Sequence, residues 1–420
     1  DIITRCFMAF LATVTFWIVS VLYEKKRKVF SPGYIMLMVN VFINGIICPC
    51  YFTGSRLDEG TRTGVIQPQD FWELYLVVYF LTMAVVLIYL LGVKHTTVEI
   101  HKEDFIQYDR VDDAAVFLMG IIVLFLNFRF GSTGAVMYVP VLCYFAMRFL
   151  WTGGKLNIYT ILGLLGGMYC IFRLRHSRYM IVEYAVPIIL MYFVLVAIND
   201  NKKRGKKVVP MLIAGIIAVF AYGMISELIK LNTYWGRSYN LLYELTNFKS
   251  IVDFCARQVY RLFGIWTELG GNIIHHVNLH GYYYGITYIK SLAGVFGFEY
   301  VSLPLISAEY ISAAYAQPGL LAEGYANFGI IGAVINLIVP FALAEGALSW
   351  FLKKRDPLAI CLLTVPFTKI LLDGGTINNI IFGIATCILA FALYIVLRLF
   401  KMKLWLPVGD FRMIRKKRIE

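Results

Sequence analysis

Long apolar runs separated by short polar breaks dominate the chain. They fall at about 6–23, 33–52, 71–92, 114–128, 133–150, 156–172, 179–198, 208–230, 324–350, 358–372 and 377–398. Runs of roughly 17–25 apolar residues are what a helix needs to cross a bilayer, so the pattern predicts about 11 membrane-spanning helices. The sequence starts at Asp1 rather than methionine, which leaves room for a twelfth helix upstream. The fold class expected is an all-α, polytopic integral membrane protein. Between 231 and 318 the pattern changes: apolar residues recur at helical spacing, but charges interrupt every candidate span. "NLLYELTNFKSIVDFCARQVYRLFGIW" (240–266) reads as an amphipathic helix or helix pair, lying on the outer membrane surface or packed against the bundle, whereas "GYYYGITY" (281–288) and "SLPLISAEY" (302–310) read as irregular turns over a cavity.

The charges give the runs a direction. "EKKRK" (24–28), "NDNKKRGKK" (199–207), "KKRD" (353–356) and "FRMIRKKRIE" (411–420) are densely basic. Basic loops stay in the cytoplasm, and an even number of runs separates each from the next, so one topology satisfies all four. The expected organisation is a first bundle over 1–230, a large outer loop over 231–318, and C-terminal helices with a basic tail over 319–420. Composition agrees: 60% of residues are hydrophobic, 15% are charged and the mean hydropathy is +0.71. The net charge of +13 therefore reports topology and not nucleic-acid binding. Eight scattered cysteines show no zinc or disulfide-framework spacing, and no metal or cofactor is expected.

This topology leaves cations where they should be scarce. Arg173, Arg175, His176 and Arg178 crowd one outer turn, Arg237 follows the next outer span end, and Arg257 and Arg261 share a helical face. Single arginines there snorkel, bind headgroups, or pair with Asp253, Glu244 and Glu268. The set as a whole outnumbers its acids. Guanidinium forks grip phosphate oxygens bidentately, which suits a lipid-tethered diphosphate carrying sugars.

The stretch 285–337 bears a further likeness. Gly285-x-x-Tyr288, Pro304 and "LLAEGYANFGIIG", with Glu323, Tyr325, Asn327, Phe328, Gly329 and Gly332, resemble the end of the outer loop in Wzy-type oligosaccharide repeat-unit polymerases. "HSRYMI" (176–181) is similar to the start of a span in that family and in the related O-antigen ligases. The resemblance implies a GT-C-like, metal-independent glycosyltransferase in a bacterial cytoplasmic membrane, with its active site on the outer side. Donor and acceptor would be undecaprenyl-diphosphate-linked oligosaccharides, with a chain-length regulator as a further partner. The diphosphate-binding role carries over onto Arg178, Arg237 and Arg257, and by extension Arg261.

Transfer from a diphosphate needs the leaving charge stabilised and the acceptor hydroxyl deprotonated. For the proton, "NIIHHVNLHGYYYG" (272–285) offers His276, and Glu323 opens a span on the same side. The bland readings are surface histidines and a carboxylate that caps a helix. Tyr282, Tyr283, Tyr288, Tyr325 and Asn327 are the candidates for glycan contacts. An O-antigen ligase and a flippase or transporter for lipid-linked sugars are the alternative functions. A flippase should carry charge along several spans, whereas here it gathers at the outer ends.

Overall fold

A computed structural model describes six α-helices: α1 (Arg110–Phe130), α2 (Ser132–Trp151), α3 (Ile158–Arg173), α4 (Ile265–His280), α5 (Leu303–Tyr310) and α6 (Leu320–Lys354). It also describes residues 281–289, 297–302 and 318–319, with scattered positions elsewhere that include 243, 246–252 and 377. Among the described residues there is no β-strand, so the all-α expectation stands for them. Leu320–Pro340 is the one described stretch long and apolar enough to cross a membrane, and Asp113–Phe125 and Ile158–Cys170 are shorter apolar segments. The expected spans before residue 110, at 179–230 and beyond residue 356 lie outside the described residues apart from isolated helical positions.

Helices α1, α2 and α3 pack together. Val116, Met119 and Val123 of α1 are buried, as are Tyr138, Leu142 and Phe145 of α2. α3 presents glycines to that surface: a Cβ on Gly163 would strike the Phe145 ring, and one on Gly167 would strike Leu142. Small residues bring helix backbones close, a device suited to packing without a hydrophobic driving force. Asn157 starts α3 as its N-cap, its Oδ1 accepting from Thr160 N at 2.7 Å. One end of the bundle holds a closed polar network. Arg148 Nη2 lies 2.6 Å from Asp113 Oδ2. Asn157 Nδ2 donates to the same oxygen at 2.8 Å, and Tyr144 donates its hydroxyl to Oδ1 at 3.2 Å.

A second unit joins α4, α5 and the start of α6. Ile273 and Val277 of α4, Leu303 of α5, and Ala322 and Ala326 of α6 make its core, with Tyr283 and Ile306 packed against it. The expectation of irregular turns over 302–310 is corrected here, because Leu303–Tyr310 is helical. Pro304 lies in its first turn, where a missing N–H costs nothing, and Leu305 and Ile306 donate back to Ser302 O at 3.0 and 3.2 Å.

The span expected at 324–350 is also not one straight rod. Phe328 (φ −142°, ψ 25°) and Gly329 (φ 61°, ψ −146°) leave the helical region inside α6. Asn336 Nδ2 donates to Leu320 O at 2.9 Å, although a straight helix would separate these residues by roughly 24 Å. Gly324 and Gly332 touch backbone to backbone, so a Cβ on either would collide with the other's carbonyl. Both pairs are centred on residue 328. The chain therefore folds back on itself there as a tight helical hairpin. Gly329 occupies a region open essentially to glycine alone, and Gly324 and Gly332 permit the close crossing.

Candidate functional site

The site grows from the hairpin's broken end. Where a helix stops, its last carbonyls need donors, and the loop after α4 supplies them. Tyr283 N donates to Ala326 O at 2.9 Å and Tyr284 N to Asn327 O at 3.3 Å. Asn327 completes the joint with its side chain: Oδ1 accepts from Gly285 N at 2.8 Å, while Nδ2 donates to Thr287 Oγ1 at 2.6 Å and Glu323 O at 2.8 Å. Tyr288, in a 3-10 turn over Ile286–Ile289, donates its hydroxyl to Asn336 Oδ1 at 2.9 Å. Burial, then the nearby Glu323, push the Tyr288 phenol well above its ordinary range.

Glu323 is almost wholly buried, and its carboxylate accepts a short hydrogen bond from Ile377 N. It thereby ties the chain near residue 377 to the short arm of the hairpin.

His276 and His280 lie one turn apart on α4 with their rings stacked at 4.3 Å. His276 Nε2 and the Tyr283 hydroxyl are 3.0 Å apart. His280 Nδ1 lies 2.9 Å from His276 O, and since a carbonyl only accepts, His280 carries its proton on Nδ1. Burial lowers the His276 pKa below its usual 6.5; His280 and His275 add to the drop and Glu309 opposes it. His276 is thus neutral at physiological pH and can accept a proton. No group of three or more His, Cys, Asp or Glu able to hold a metal occurs among the described residues.

The outer surface of this unit is aromatic. Tyr282 and Tyr284 meet edge to face at 6.4 Å, and Tyr282 and Tyr325 at 6.0 Å. Tyr325 donates its hydroxyl to Asn278 Oδ1 at 3.0 Å. Tyr284 is 74% exposed and has φ 49°, an uncommon conformation for an aromatic residue.

The expected site residues divide into three groups. His276, Glu323, Tyr282, Tyr283, Tyr288, Tyr325 and Asn327 come together around the hairpin. Among them Asn327 and Tyr288 are engaged in holding the loop. Arg173 ends α3, and Arg175, Arg178, Arg237, Arg257 and Arg261 lie outside the described residues. Sequence reasoning passed over Tyr284 and Asn278. The signal for Tyr284 was its place in "GYYYG", between two glycines that both adopt positive φ.

The chain belongs to a family of unknown function (DUF6032), which matches it over residues 1–420. No curated protein matches it, and no solved structure does.

Proposed function

We propose that this protein is a multi-pass membrane glycosyltransferase that polymerises lipid-linked oligosaccharides at the outer face of a bacterial cytoplasmic membrane. The observation that carries the reading is the joint between a break in an apolar helix and a tyrosine-bearing loop, with His276 hydrogen-bonded to that loop at Tyr283. Irregular backbone within an apolar segment is tolerated in a bilayer where it is buried in protein or lines a cavity. Outward apolar stripes support the membrane setting. Ile331, Ile335, Val339 and Leu343 recur every four residues on α6, and Leu162, Leu165 and Met168 are exposed on α3.

In the proposed reaction an acceptor hydroxyl oxygen bonds to the donor's anomeric carbon. The bond from that carbon to the diphosphate oxygen breaks, and the hydroxyl proton passes to His276, oriented by Tyr283. Undecaprenyl diphosphate leaves with the electron pair, its charge met by Arg178, Arg237 and Arg257, with Arg173, Arg175 and Arg261 in support. Glu323 serves as the tie that holds the hairpin to the chain at Ile377.

A second reading, a transporter of lipid-linked sugars, is favoured by the broken helix itself, since discontinuous helices line many transport sites. Reconstitution with a defined undecaprenyl-diphosphate oligosaccharide separates the two. The polymerase gives a ladder of products, and Arg178→Ala or Arg257→Ala reduces it to single repeats. Substrate translocation with no new glycosidic bond defeats the polymerase reading.

A further inference from the structure

Four exposed or partly exposed groups gather at the outer side of the loop. Among the described residues the Tyr284 hydroxyl has no hydrogen-bond partner, and the side chain is 74% exposed. Its backbone is nevertheless pinned in the left-handed region by the bond from its N–H to Asn327 O and by the neighbouring Gly285 N to Asn327 Oδ1. An aromatic residue in that region is strained, and burial of its side chain offers no compensation. Tyr282, 41% exposed, stands between Tyr284 and Tyr325 with interplanar angles of 74° and 65°. Asn278 is exposed and accepts from Tyr325 through Oδ1, and among the described residues its amide N–H groups meet no acceptor.

We infer that Tyr282, Tyr284, Tyr325 and Asn278 form a saccharide subsite that stacks the C–H face of a single neutral pyranose ring. This deepens the glycosyltransferase reading and rests on it for biological meaning. It also moves the sugar contact away from Tyr283, whose hydroxyl meets His276, and from Tyr288 and Asn327, whose side-chain polar atoms are engaged in the hairpin joint. A pyranose matches both halves of the chemistry. Its axial C–H bonds face aromatic rings, and its rim hydroxyls meet a phenol and an amide that lack other partners.

The test is saturation-transfer NMR on the full-length protein in detergent. The probes are methyl glycosides of glucose, galactose, mannose and N-acetylglucosamine, in both anomers, with tetramethylammonium alongside. Transfer to ring C–H protons of at least one glycoside is expected. Tyr284→Asn keeps the backbone conformation, because asparagine tolerates positive φ, and removes the ring. It should weaken the signal about tenfold, while Tyr284→Phe retains most of it. An unchanged thermal midpoint in Tyr284→Asn shows that the loss is not unfolding. No transfer to any glycoside, equal transfer in Tyr284→Asn, or tetramethylammonium binding in place of sugar each overturns the subsite. Sugar binding lost in Tyr284→Asn, in a protein that makes no glycan ladder, keeps the subsite and rejects the polymerase. A ladder unaffected by Tyr284→Asn does the reverse.

Discussion

The three-helix bundle and the hairpin unit treat their polar groups in opposite ways. In the bundle, Asp113, Arg148, Asn157 and Thr160 are all buried, and both Asp113 oxygens are taken by protein partners. In the hairpin unit a similar hub, Asn327, is fully satisfied, but a shell of tyrosine rings and one amide face outward around it. The bundle spends its polar chemistry on itself. The hairpin unit spends part of its chemistry on a rigid base and leaves the remainder available. That contrast separates a core closed on itself from a surface that exposes aromatic rings.

The largest test of the contrast lies in the bundle. Asp113→Ala would remove the carboxylate that faces the buried Arg148 guanidinium, a loss of about 3–5 kcal/mol. Thermal unfolding of the variant in detergent should show it, and a companion Asp113→Leu, Arg148→Met pair should recover much of the loss. No recovery would mean that the network has more to do than balance its own charges. Next, Gly332→Ala and Gly324→Ala should each cost about 1–3 kcal/mol or more, because the added Cβ meets backbone that cannot step aside. An unchanged midpoint in both would disprove the close crossing.

Asn327→Ala should cost about 1–3 kcal/mol and free the loop as well. Amide hydrogen exchange at Tyr283, Tyr284 and Gly285 is the sharper readout, and protection equal to the parent protein would contradict the joint. The smallest effect is a dependence on pH. The folded pKa of His276 lies below 6.5, so below that pH the unfolded chain takes up the proton first. The contribution of this group is complete above pH 6.5 and declines as the pH falls through the lower folded value. Replacing His276 with glutamine should flatten the thermal midpoint over that window, and an identical slope would remove His276 as its source.

Much of the bundle was legible in the sequence. Apolar runs at 114–128 and 133–150 sit inside helices 110–130 and 132–151, and the run at 156–172 starts two residues before helix 158–173. Apolar patterning reports helix and burial directly, which is why those elements were found. The Asp113–Arg148 pair was not, because charges at the ends of apolar runs look like ordinary boundaries until the runs are stacked. The hairpin was hidden for a related reason. Apolar content is the same whether a helix runs straight or doubles back, and only the glycines at 324, 329 and 332 mark the difference. At 302–310 Pro304 suggested a turn, although in the first turn of a helix it is harmless. Glu323, Tyr325 and Asn327 were singled out as a group from a resemblance. Their geometry gives the grouping a physical content, since Asn327 builds the joint while Tyr325 faces its outer side.

One consequence of the Gly329 conformation reaches past the hairpin. A side chain at this position would penalise the bend by about 1–3 kcal/mol and so raise the share of chains in which the helix runs uninterrupted. Residue 320 would then swing away from residue 336, taking with it the carbonyls that dock the tyrosine loop and the carboxylate that holds Ile377. A single added methyl group would thus weaken, at one corner, the connection among three segments of the chain.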